Sequence, residues 1–85
     1  MFELGDYAQA LTAYRNVANR YLNDPEALEA MMQIRECYLR MGDEKEANQT
    51  LQRARQTLKR IPVSKDPEFT RVTRFDRQQW ERVLQ

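Results

Sequence analysis

The strongest constraint on this chain is that it repeats. Sliding the sequence by 37 residues lays Gly5 on Gly42, Asp6 on Asp43, Ala10 on Ala47 and Pro25 on Pro62. Large or small apolar positions fall into the same register: Leu4 with Met41, Tyr14 with Leu51, Val17 with Ala54, Tyr21 with Leu58. Turn formers and apolar positions kept in phase together mean that one supersecondary unit occurs twice. Such a unit cannot bury its apolar face alone and does so by stacking on a copy of itself.

Between the two turns lies Asp24–Asp43, which reads as one bounded helix over about 25–41. Pro25 sits in a first turn, where the missing N–H has no helical partner to lose. Asp24 is placed to cap, and Glu26 and Glu29 lie near the positive end of the helix dipole. Leu28, Met31, Ile34/Arg35, Tyr38 and Met41 follow at three- and four-residue steps, one helical face. Gly42 supplies a left-handed residue to end the helix. Before it, Tyr7, Ala10, Leu11, Tyr14, Val17, Ala18 and Tyr21 share one face of a helix over about 7–22, with Asp6 and Gln9 at capping-box spacing. After it, Ala47, Leu51, Ala54, Leu58 and Ile61 mark a helix over about 44–60, capped by Asp43 with Glu46 and closed by Pro62. The expected class is all-α: about three helices in antiparallel helix–turn–helix pairing, plus a short C-terminal helix.

Residues 62–75 change character. Two prolines, β-branched residues and no helical period predict an extended linker. Then Asp76 and Gln79 form a third capping pair, and a helix over about 77–85 follows. Phe75 and Trp80 have the spacing of a hydrophobic staple. A helix this short is not stable alone, so Phe75, Trp80, Val83 and Leu84 are predicted to dock on the rest of the chain or on a continuation of it. The organisation expected is a partial unit over 1–24, a full unit over 25–62 and a linker with its helix over 63–85.

Composition removes most chemistry. With no histidine and one cysteine in 85 residues, the commonest general base, the commonest metal ligand and an internal disulfide are all missing. Neither a catalytic residue, a cofactor nor a metal is expected. The acidic groups Glu29, Glu36, Asp43, Glu44 and Glu46 suit capping and solvation, and Cys37 has no base to activate it. No apolar run approaches a membrane span. The charge is uneven: residues 1–52 hold 5 Lys/Arg and 9 Asp/Glu, residues 53–85 hold 9 and 4. The two halves are expected to attract. The rival reading is a small bundle whose basic tail (Arg71, Arg74, Arg77 and Arg82 among Phe69, Phe75 and Trp80) binds an anionic partner such as nucleic acid, although no reader motif accompanies it.

Met31-x-x-Ile34, Tyr38, Gly42-Asp43, Ala47, Leu51, Ala54 and Pro62, with Gly5-Asp6-Tyr7, Ala10, Tyr14, Val17 and Pro25 in the earlier copy, resemble the tetratricopeptide repeat family over about residues 1–62. The usual unit is about 34 residues. The longer period here resembles elongated units found in bacterial scaffold and envelope proteins. The resemblance implies a non-catalytic protein–protein interaction module. Its first helix would line a concave face for a peptide or helix, through Glu29, Met32, Gln33, Glu36, Leu39 and Arg40. The chain's own tail is the competing occupant of that face. Two departures stand out. Arg35 occupies a position where the family has a small residue. Met1 corresponds to Tyr38, so the first unit lacks most of its first helix. The chain then reads as a fragment or a frame started late, with self-association through the open face of the first helix. No signal peptide is visible. Cytoplasm is the default compartment, with the envelope or periplasm left open for a fragment.

Overall fold

The computed structural model describes residues 4–85, with side chains from Tyr7 onward. Its elements are α1 (Leu4–Arg20), α2 (Glu26–Arg40), α3 (Glu44–Arg60), a 3-10 turn (Val63–Lys65), α4 (Asp66–Val72) and α5 (Arg77–Val83). The centre is α2, which packs along both α1 and α3, while α5 packs against α3. The turn between α2 and α3 shows why they fold back on each other. Gly42 takes φ of 80°, and Asp43 N–H donates to the Tyr38 carbonyl at 2.8 Å. Asp43 then caps α3, its side chain accepting from Glu46 N–H at 3.3 Å.

The core runs as a seam through the α-helices. Leu28, Met31, Ile34 and Tyr38 of α2 meet Leu11 and Ala18 of α1 and Ala47, Ala54 and Leu58 of α3. Ala27, Ala47 and Ala54 have no exposed surface, so the backbones approach closely at these positions. Thr50 and Thr57 are buried with them, a part of the α3 face that apolar periodicity alone passes over. Arg35 lies half-buried at the edge of the seam. Its Nε is buried without a partner.

Four local expectations are corrected. The first helix does not begin after a Gly5-Asp6 turn. Its described part runs from Leu4 and holds both residues within the helix. The side chain of Asp6, and with it the cap to Gln9, lies outside the described residues. The same helix ends at Arg20 rather than 22, and Val17, assigned to its apolar face, is 39% exposed. Asp24 does not cap α2. Pro25 occupies the N-cap position in helical dihedrals, and the Asp24 carboxylate is engaged instead by Lys65 Nζ at 2.5 Å. The expected extended linker is largely helical. Pro67 falls in the first turn of α4, where its missing N–H is harmless, and Phe69, fully buried, anchors that helix. Seven residues are too few for a period to show in the sequence.

Candidate functional site

The outer face of α2 carries all six residues assigned to partner binding. Glu36 and Arg40 are exposed and paired one turn apart, Arg40 Nε to Glu36 Oε1 at 2.9 Å. The Glu36 hydrogen bond, with the Tyr7 hydroxyl adding to it, holds the Arg40 guanidinium above its already high pKa. Leu39 is 38% exposed. Met32 and Gln33 are half-buried, Met32 against the core. Glu29 is also half-buried. Its Oε1 lies 3.6 Å from Arg74 of the tail, and its Oε2 is covered without a hydrogen bond. The face is therefore a mixed strip: a thioether and a leucine between polar groups held in place by pairs.

Towards α1, Gln33, Glu36 and Arg40 continue into a groove of 270 Å³ between the helices, completed by Tyr7, Ala10, Tyr14 and Cys37. Cys37 is buried, and that burial, reinforced by the Glu36 charge, pushes its thiol above the usual value. At neutral pH it stays protonated, the opposite of an activated nucleophile.

Towards the other side the tail closes the stack. Trp80 is 1% exposed, with Phe75 edge-on to it at 5.3 Å between centroids and an interplanar angle of 88°. Leu84 is 1% exposed, whereas Val83 is 44% exposed and points away from the core. The Trp80 indole N–H donates to Thr73 Oγ1 at 3.0 Å. Asp76 and Gln79 form a full capping box, each side chain accepting the other's backbone N–H at 2.8 and 2.9 Å.

Arg77 joins the tail to α3, and nothing in the sequence marked it for that role. It donates to the carbonyls of Leu58 at 3.0 Å, Ile61 at 2.8 Å and Pro62 at 3.1 Å, and to Asp66 Oδ1 at 2.7 Å. It also lies 5.0 Å above the Phe69 ring. A guanidinium fork is suited to this, since the last carbonyls of a helix lack partners and sit at its negative end. The uneven charge is used in part within the chain: Lys65 meets Asp24 in the turn before α2, and Arg74 meets Glu29 on α2. Lys65 is held above its usual pKa mainly by the Asp24 hydrogen bond. Three of the residues named for a nucleic-acid surface are used within the fold, while Arg71, Arg74 and Arg82 stay exposed. Phe69 and Trp80 are buried and cannot stack on bases, and Arg77 is committed to carbonyls.

Stacked antiparallel helices with a sandwiched α2 and a capped end define a helical-repeat protein. The tetratricopeptide repeat family model matches residues 1–72, and the chain belongs to that family. No match was found among curated proteins or among solved structures. Membership makes the chain a protein–protein interaction module of a kind that is generally non-catalytic. No helix of the described residues is long and apolar enough to cross a membrane.

Proposed function

We propose that the chain binds a peptide or helix of a partner protein along the outer face of α2, through Glu29, Met32, Gln33, Glu36, Leu39 and Arg40. The observation that carries this reading is Leu39, 38% exposed on a helix whose other large apolar residues are mostly covered. Beside it, Met32 offers an adaptable thioether, a residue suited to varied partners. The Arg40–Glu36 and Arg74–Glu29 pairs form a polar rim, the arrangement that amphipathic ligands meet in a groove. The test is a selection from an unbiased peptide library on the intact chain, followed by affinity measurements on Met32→Glu and Leu39→Glu. Each change weakens the selected peptides by about tenfold or more. Equal affinity for wild type and both variants sinks the proposal.

Self-association is a second reading, favoured by the 270 Å³ groove that Ala10, Tyr14 and Cys37 help to line between α1 and α2. It predicts a concentration-dependent dimer in light scattering that Ala10→Glu abolishes.

A further inference from the structure

The ion pairs among the described residues join α2, its leading turn or the segment after α3 to one another. The cations of α1 and of the second half of α3 enter none of them: Arg15, Arg20, Arg53, Arg55, Lys59 and Arg60. Two of these reach neutral acceptors, Arg15 the Tyr38 hydroxyl and Arg55 the Leu84 carbonyl. The acidic half of the sequence is thus partly neutralised within the chain, while a basic surface is left over on the two helices that flank α2.

Within that surface lies a recess of 180 Å³ whose floor is α2 and whose walls are α1 and α3. Met31, Ile34 and Tyr38 form the floor, on a different face of α2 from the Met32–Leu39 strip. Arg15 stands on one wall and Arg53 on the other. Glu46 lies on the α3 wall two helical turns before Arg53, roughly 10 Å along the helix. The recess therefore has buried apolar side chains at its base, one arginine on each wall, and Glu46 on the α3 wall two turns from Arg53.

We infer that this recess is a second docking site, for an acidic segment of a partner protein that lays one apolar side chain on Met31 and Ile34 and sets its carboxylates between Arg15 and Arg53. Charge complementarity selects the acid. The floor and Glu46 select a peptide over a polyphosphate. A nucleic-acid strand would carry its charge past Glu46, and the one aromatic ring on the floor, Tyr38, is already covered by the Arg15 guanidinium at 5.8 Å. A peptide can hold its acids beside Arg53 and away from Glu46, two turns along α3. The site is independent of the outer face of α2, and either can fail without the other.

The probe is a fluorescein-labelled hexapeptide of three glutamates, a leucine and two glutamines, titrated against the intact chain. Binding is saturable and falls about fivefold with Arg53→Gln, the loss expected for one exposed charge pair. Replacing the peptide's leucine by glycine weakens it by a similar factor. Arg60→Gln, an equal charge change on the same helix outside the recess, leaves affinity unchanged. In a spectrum of 13C-methyl-labelled methionines the Met31 methyl shifts and the Met32 methyl does not. Four results overturn the inference: no saturable binding, equal losses at Arg60 and Arg53, a shift at Met32 in place of Met31, or displacement of the peptide by oligothymidylate at equal concentration.

Discussion

Thr73→Val removes a single hydroxyl and leaves the shape of the side chain almost unchanged. That hydroxyl is the acceptor for the Trp80 indole N–H at 3.0 Å, and it can give its own proton to the Phe69 carbonyl at 2.6 Å. Trp80 is 1% exposed, so water has little access to replace the lost acceptor. A buried donor left without a partner costs about 1–3 kcal/mol. A chain of 85 residues has a total stability of roughly 4–13 kcal/mol, so the loss is a substantial share. With a urea dependence near 1 kcal/mol per molar, the midpoint falls by roughly 1 M or more. Trp80 is the only tryptophan, so its fluorescence reports on the docked tail without a label. Thr73→Ser keeps the hydroxyl and stays close to wild type. If Val and Ser behave alike, and the emission of folded Trp80 is the same in both, the hydrogen bond does not hold the tail and the reasoning fails.

Arg77→Leu strips three carbonyls and Asp66 of their donor and lowers stability by about 1.5–3 kcal/mol in the same urea assay, and Arg77→Lys does not restore it because an ammonium cannot reproduce the fork. Gly42→Ala meets nothing within 4 Å, so only its φ of 80° resists, and the thermal midpoint falls by the equivalent of about 1–2 kcal/mol. Cys37, buried and with its thiol pushed up, reacts slowly with iodoacetamide at pH 8 in the native protein and rapidly once urea unfolds it; fast native alkylation contradicts the burial.

Helices with long periodic faces were the legible part. The ends of α3 match the sequence reading, and those of α2 differ by one residue at each end, because Gly42 and Pro62 mark sharp stops. The capping box of α5 and the Phe75–Trp80 contact were legible for the same reason: they are local devices with fixed spacing. What could not be read depends on contacts distant in sequence. Asp24 had the right residue type to cap α2, but Lys65, 41 residues away, takes its carboxylate. The helix α4 is held by burial of Phe69, not by propensity. Arg77 and Arg74 looked like exposed tail cations, and only the folded arrangement brings one to the end of α3 and the other to Glu29. The candidate faces show the same division. The outer strip of α2 was implied by the family resemblance, whereas the recess with Arg15 and Arg53 needs three helices in place.

Met31 and Met32 are consecutive, yet one lies 3% exposed on the floor between α1 and α3 and the other half-buried beside the outer strip. A 13C-methyl methionine spectrum during titration with a peptide selected from an unbiased library in the presence of excess acidic hexapeptide, which occupies the recess, therefore tests the central claim most directly. The account predicts that the Met32 methyl moves in proportion to saturation while Met31 stays in place. A saturating peptide that leaves Met32 unmoved contradicts it.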